Sequence, residues 1–327
     1  MLLDRRSFLF SAASFGLVAA ADEPPKLFTK AKADFDDHLT VLLADIHVGA
    51  QADAPTFPAK RLEKEIARIL KLDPLPRRAV VFGDLAYRRG FAGDYVKSAP
   101  LLKQLTDAGI ELTIGMGNHD RRSAFLETYP EHAKRTRVPG RLVSVVSGPD
   151  ADILMLDTLQ GADNRDVLDA GPSEGALDEA QQEFLAKELP AWPRPVFVGA
   201  HHGFGGLTVK GNPLVDLLCA SDNVVGWLNG HYHRWLTEWT KCKKGPAWMR
   251  ARVLRSVRLP STSYSGDVGF ALLRTAPGDF RVELCQDDFQ VYVGGKIPRL
   301  AKRTAVNDAI VRDHAGAVCR FVPYPKR

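Results

Sequence analysis

The stretch Leu39-Thr40-Val41-Leu42-Leu43-Ala44-Asp45-Ile46-His47 holds the key to the fold. Residues 39–43 form a short, mostly branched apolar run, which predicts a buried strand. The run then breaks into an acid and an imidazole two positions apart. In an extended strand such positions share a face, so Asp45 and His47 are expected to lean to one side while Ile46 points into the packing. The arrangement recurs. The apolar run 79–82 leads into Gly83-Asp84, and 111–114 into Gly117-Asn118-His119-Asp120. Residues 196–198 lead into His201-His202, and 224–228 into Gly230-His231-Tyr232-His233. In α/β sheets ligands bind beyond the C-terminal ends of the strands, so these clusters converge if their strands are neighbours.

Helical patterns separate the runs. Residues 58–70 place Leu62, Ile66, Ile69 and Leu70 on one face, a second helix is expected near 94–107, and a third over 177–189 aligns Leu177, Phe184, Leu185 and Leu189. Further strands are expected at 142–146 and 153–156, and residues 270–273 and 280–284 flank a Pro-Gly turn as a late hairpin. Strands alternating with helices indicate an α/β chain.

The 327 residues are 45% hydrophobic and 25% charged, which excludes a disordered, collagenous or coiled-coil chain. Four Cys are too few for a disulfide-dense scaffold. Lys and Arg number 44 against 39 Asp and Glu, and the net +5 is too small an excess to argue for nucleic acid. No later stretch has the length and apolarity of a membrane helix.

The N-terminus carries a targeting pattern. After Arg5-Arg6 an apolar stretch runs from 8 to 21 and ends in Ala19-Ala20-Ala21. A charged start, a short apolar middle and small residues at the end describe a cleavable export signal over 1–21. Arg5-Arg6-Ser7-Phe8-Leu9 resembles the twin-arginine signal, which implies export of a folded, metal-loaded protein by that machinery to the periplasm or beyond. Residues 22–37 read as a linker, 38–285 as the main domain and 286–327 as a basic C-terminal extension. In an oxidising compartment Cys219, Cys242, Cys285 and Cys319 allow three full pairings, and Cys219, inside an apolar run, also reads as a buried thiol.

Six of the nine His fall in the polar clusters. Asp, Asn and His without Cys suit Mn, Fe, Co or Zn and not a thiolate site. The Asp45/His47 and His231/His233 pairs can grip two ions from opposite sides, with Asp84 bridging them. Two divalent ions, two carboxylates and a bridging hydroxide leave about one positive charge, which attracts a phosphate and stabilises the charge that builds on it.

Together Asp45-x-His47, Gly83-Asp84, Gly117-Asn118-His119-Asp120, His201 and Gly230-His231-x-His233 resemble the calcineurin-like metallophosphoesterase superfamily. The resemblance implies two packed mixed β-sheets flanked by helices, a four-layer sandwich. It implies one metal on Asp45, His47, Asp84 and His233, and the other on Asp84, Asn118, His201 and His231. His119 would stand at the leaving group with Asp120 orienting it. The implied reaction is hydrolysis of a small phosphate mono- or diester, the diester favoured, by attack of a metal-bridging hydroxide. The alternative is a metal-bound, catalytically idle protein that binds a phosphorylated ligand; an intact His119 argues against it.

Gly117-Asn-His-Asp-Arg121-Arg122 with Phe125, Leu156-Asp157-Thr158, Gly175-x-Leu177 and Gln181-Gln182-x-Phe184-Leu185 is similar to the class III cyclic-nucleotide phosphodiesterases and related glycerophosphodiesterases. That branch carries Pro after the His pair. Here Gly203-Phe204-Gly205-Gly206 follows, which predicts a differently shaped substrate pocket. Arg121 and His202 are the further candidates to contact substrate, His202 alternatively being a supporting donor, a spacer or, in place of the favoured His201, the metal ligand of the pair. His38, His132 and His314 receive no role. Arg250, Arg252, Arg255 and Arg258 read as a solvated basic edge, and Trp235, Trp239 and Trp248 as packing residues.

Overall fold

The structure, a computed structural model, describes residues 34–160, 174–209, 213–293 and 299–323. The expected export signal lies outside these residues, as does most of the linker. Two six-stranded mixed sheets form the centre. In spatial order the first holds Val318–Phe321, Asp279–Gln290, Gly266–Ala276, Phe35–Leu43, Leu75–Val81 and Glu111–Ile114. The second holds Leu236–Lys241, Val253–Arg258, Val224–Asn229, Val196–Ala200, Asp152–Met155 and Ser144–Ser147. Phe35–Leu43 runs parallel to Leu75–Val81, which runs parallel to Glu111–Ile114. Asp152–Met155, Val196–Ala200, Val224–Asn229 and Val253–Arg258 are likewise parallel in turn.

Alternation along the strands builds the layers. Leu42, Val80 and Phe82 of the first sheet pack against Phe197, Leu228 and Val257 of the second, and Phe280 and Phe321 close the space between. Val41 and Leu43 point the other way, onto Leu62, Ile66 and Ile69 of helix Phe57–Ile69 and Tyr95, Leu102 and Leu105 of helix Ala92–Asp107. Leu154, Val198 and Trp227 meet Leu185 of helix Glu179–Glu188 and Leu218 of helix Leu214–Ala220. The order helices, sheet, sheet, helices is the expected four-layer sandwich. Each fully buried Leu, Ile or Phe here contributes about 1.5–3 kcal/mol.

Local details depart from expectation. Helix 177–189 starts at Glu179, because Asp178 caps it by accepting from the Gln181 amide, 3.1 Å away, and residues before the cap cannot be helical. The 37/38 boundary falls inside strand Phe35–Leu43 and the 285/286 boundary inside Asp279–Gln290. The tail past 286 adds an edge strand, Val318–Phe321, and helix Ala305–His314 with a Thr304/Asn307 capping box. Of the basic run, Arg252 is buried on the carbonyls of Cys219 and Ser221, and Arg258 is paired bidentately with Glu238. Trp239 is 71% exposed and not a packing residue, because its edge strand has its outer face open.

Candidate metal centre

The parallel strands end along one rim, and their C-terminal loops are laced together. Asp45 N donates to the Gly83 carbonyl at 3.1 Å, Ile46 N and His47 N to Asp84 O at 2.9 Å, and Val48 N to Leu85 O at 3.1 Å. Asp45 and His47 do not continue the strand as expected. Asp45, His47, Asp84, His231 and His233 all have left-handed backbones, with φ between 51° and 75°, and they are the only non-glycine residues with positive φ among those described. Asp and His tolerate this region better than most residues, yet it costs of order 1 kcal/mol each. Such strain persists only where surroundings enforce it, and it concentrates at functional sites. Ile46 is still buried in the core, as its apolar character demands.

The side chains converge. Asp45, His47 and His233 bring ligand atoms within 4.8 Å of one another, as do Asp45, Asp84 and His201, and also His47, Asp84 and His119. Asp84 Oδ2 lies 3.5 Å from His47 Nε2 and 3.1 Å from His201 Nε2, between the two halves. Asn118 Oδ1 is 3.1 Å from His201 Nε2 and 3.0 Å from His231 Nδ1. Gly117 lacks a side chain for a local reason: a Cβ there would lie 2.2 Å from Asp84 Oδ1.

Charge and tautomers fit cations. His47 Nδ1 faces the Tyr87 carbonyl at 3.2 Å and His201 Nδ1 the Phe82 carbonyl at 2.8 Å. A carbonyl only accepts, so both Nδ1 atoms carry hydrogen and both Nε2 atoms are turned to the centre as bare lone pairs when the rings are neutral. Burial works against charge on His201, but Asp84 outweighs it and pushes its pKa up to about 9; a proton sits where acceptors crowd together. Burial drives His47 down to about 3 and His231 to about 4. Burial also opposes ionisation of Asp84, but His201 and His119 outweigh it and hold the carboxyl well below its usual range. A set of fixed lone pairs and an ionised carboxylate facing inward matches divalent ions of the imidazole-and-oxygen class.

The expected partner of His119 is different. Asp120 accepts from the amides of Ala86, at 3.0 Å, and Gly117, at 2.9 Å, and from the Tyr95 hydroxyl at 3.2 Å. The half-buried His119 ring instead donates Nδ1–H to the Arg88 carbonyl at 2.9 Å, and its backbone amide donates to Asp84 Oδ1. Asp120, fully buried, is consumed by tying its own loop to the Asp84 loop, and burial together with Asp84 raises it to about 6. Arg121 stands over the Phe91 ring, 5.7 Å from its centroid, with a buried Nε that has no hydrogen-bond partner. Arg122 is committed to Asp157 through two bonds of 2.6 and 2.8 Å. The ring of Tyr232 lies against Gly203, where a Cβ would stand 3.1 Å away, and Arg258 covers it at 4.0 Å; the Gly-rich loop thus makes room for an aromatic wall beside the His pair.

One supporting segment escaped the sequence reading. Ser261 Oγ donates to Asp45 O, Thr262 Oγ1 accepts from Ala44 N, Ser263 Oγ donates to Ile46 O, and Ser265 Oγ pairs with His233 Nδ1. The run of hydroxyls after strand Val253–Arg258 was the available signal.

Comparison with known proteins agrees with this geometry. A probable cyclic nucleotide phosphodiesterase from Rhodopseudomonas palustris is 34% identical over 166 residues, half of this chain and 56% of that protein. The fold is shared with a dimetal phosphatase from Danio rerio, which aligns over 75% of this chain and 94% of its own with a TM-score of 0.54 at 12% identity. A family model for the calcineurin-like phosphoesterases matches residues 39–235, a span that runs from the first strand of the sandwich to just past His233, and the chain belongs to that family.

Proposed function

We propose that the protein is a metal-dependent phosphoric ester hydrolase acting on a small phosphate diester. The observation that carries this is Asp84, a fully buried carboxylate set between two groups of inward-facing imidazoles. Asp45, His47, Asp84 and His233 would hold one ion, and Asp84, Asn118, His201 and His231 the other, from among Mn, Fe, Zn and Co. When bound, such ions would supply Lewis acidity and activate water as the nucleophile. The carbonyl of Arg88 holds the His119 ring by Nδ1, which leaves Nε2 as the position from which a proton can pass to the departing oxygen. Arg121, with an Nε that no protein group satisfies, is the candidate to take a phosphate oxygen.

The diester preference draws on the Rhodopseudomonas relative, whose name makes cyclic nucleotides one class to test. The Tyr232 wall and the Gly203–Gly206 loop support a pocket shaped for another leaving group. We also read residues 1–21 as a twin-arginine signal, which would place the mature chain in the periplasm or outside the cell. Among the described residues no helix is long and apolar enough to cross a membrane.

The test is a panel of phosphomonoesters, linear diesters and cyclic nucleotides with added Mn. Turnover of diesters above monoesters, abolished by a chelator and restored by Mn, is the expected result. Turnover indifferent to chelator, or no turnover with both ions bound, would refute the assignment.

A further inference from the structure

Three imidazoles of the centre share a construction. The nitrogen turned away from the cluster is tied to a fixed neighbour: His47 Nδ1 to the Tyr87 carbonyl, His201 Nδ1 to the Phe82 carbonyl and His233 Nδ1 to the Ser265 hydroxyl. His202 is built the same way. Its Nδ1 lies 2.8 Å from Thr158 Oγ1, and both side chains are fully buried. Its Nε2 is buried too, and has no hydrogen-bond partner.

The position of the ring gives that nitrogen a use. The His202 ring is 4.7 Å from that of His231 and 4.9 Å from that of His201, centroid to centroid. His201, His202 and His231 each offer a ligand nitrogen within 4.8 Å of the other two. Gly175 permits the approach from behind, since a Cβ there would lie 2.3 Å from His202 Nδ1. A buried imidazole nitrogen without a partner costs stability unless something binds it. A ring fixed at one nitrogen and bare at the other, beside two imidazoles, is the usual setting of a metal ligand.

We propose that His202 Nε2 is a third imidazole ligand to the cation held between His201 and His231. This rests on the two-ion reading and goes beyond the substrate contact, the spacer or the substitute for His201 expected of His202, because both rings of the pair would ligate together. It makes the centre asymmetric. One half offers two imidazoles and two carboxylates, the other three imidazoles, one amide oxygen and the shared Asp84. The imidazole-rich half therefore prefers Co or Zn over Mn more strongly than its neighbour does.

Cobalt is the probe. The full-length protein is stripped, titrated with Co²⁺, and followed by visible absorption, chelator competition and proton NMR of the paramagnetic form. The unmutated protein should bind two ions and show a hyperfine-shifted, slowly exchanging N–H from His202, held by Thr158. His202→Ala should lose that resonance, change the visible band and weaken one ion at least about tenfold while the other is unaffected. Thr158→Val, which keeps the ring, should shift the resonance without removing the ion. His201→Ala separates the two ideas. If His201→Ala loses an ion while His202→Ala keeps both with an unchanged spectrum, His202 is not a ligand and the two-ion reading stands. If the unmutated protein binds no Co²⁺, the two-ion reading falls and the role of His202 with it. Should His202→Ala fail to fold, the His202 resonance in the unmutated protein and its shift in Thr158→Val decide the matter.

Discussion

His47 and His233, 186 residues apart in sequence, point their Nε2 atoms at one another across 3.2 Å. Burial keeps the His47 ring neutral, and its Nδ1 already holds the hydrogen given to the Tyr87 carbonyl, so a lone pair is all that His47 presents. His233 Nε2 is also 3.2 Å from Asp45 Oδ1. When the His233 hydrogen sits on Nδ1, toward the Ser265 hydroxyl, three electron-rich atoms meet here, and a cation among them would relieve their repulsion. The backbone strain at Asp45, His47 and His233 means that the fold works to keep them there.

Asp84 should be indispensable to both ions. Asp84→Ala is expected to lose both together, whereas Asp45→Ala should mainly release the ion beside His47 and His233. Metal content by mass spectrometry after gel filtration distinguishes these results. A fully loaded Asp84→Ala protein would refute the bridging role.

His119→Ala should slow alkyl esters far more than nitrophenyl esters, while both ions stay bound. An alkoxide needs a proton as it leaves, worth about 10²- to 10⁴-fold, and nitrophenolate does not. Equal loss on paired substrates would show that His119 positions phosphate or binds metal instead.

The two adjacent arginines should behave differently. Arg122→Ala leaves the buried Asp157 carboxylate without its counter-charge, held only by the Leu142 and Leu159 amides, and should cost about 3–5 kcal/mol of stability. Arg121→Ala should leave stability nearly unchanged and raise KM. Denaturant unfolding and steady-state kinetics on the two variants check both halves of this contrast.

Glu65 sets a pH dependence away from the centre. It is 1% exposed, one of its oxygens has no partner, and burial raises its pKa from 4.5 to about 7 despite Arg68. Between those values the folded state keeps a proton that the unfolded chain has lost, so stability falls as pH rises from about 4.5 to 7 and stays reduced above it. The penalty is absent below that window and is on the order of 3 kcal/mol above it. Glu65→Gln should be more stable than the unmutated protein at pH 8 and lose the advantage near pH 4.5, as read by urea unfolding of the stripped proteins. An advantage that does not change with pH would assign the effect to packing.

Replacing Arg5 and Arg6 by Lys should leave a folded precursor in the cytoplasm if export follows the twin-arginine route. Normal export of the double variant, seen by cell fractionation, would point to the general secretory route.

The rim of the sandwich was legible because apolar runs such as 79–82 end abruptly in chemistry-bearing residues, and parallel strands carry those ends to one side. The backbone at Asp45 and His47 was not legible, since period-two spacing fits an extended strand as well as the left-handed turns that replace it. The partner of His119 was hidden for a similar reason. Adjacency made Asp120 look available, but the Ala86 and Gly117 amides and the Tyr95 hydroxyl had first claim on a buried carboxylate. Ser265 and Thr158 lie far in sequence from the rings they hold, and neither the hydroxyl run 261–265 nor Leu156-Asp157-Thr158 says by itself which ring its hydroxyl meets. The edge strand Val318–Phe321 was missed because a short strand with one open face needs little apolar patterning.

Anomalous X-ray scattering from crystals grown with Mn²⁺ tests the central claim most directly. Two peaks flanking the Asp84 carboxylate are expected, one among Asp45, His47 and His233, the other among Asn118, His201 and His231. A single peak, or two peaks that do not share Asp84, would contradict the account.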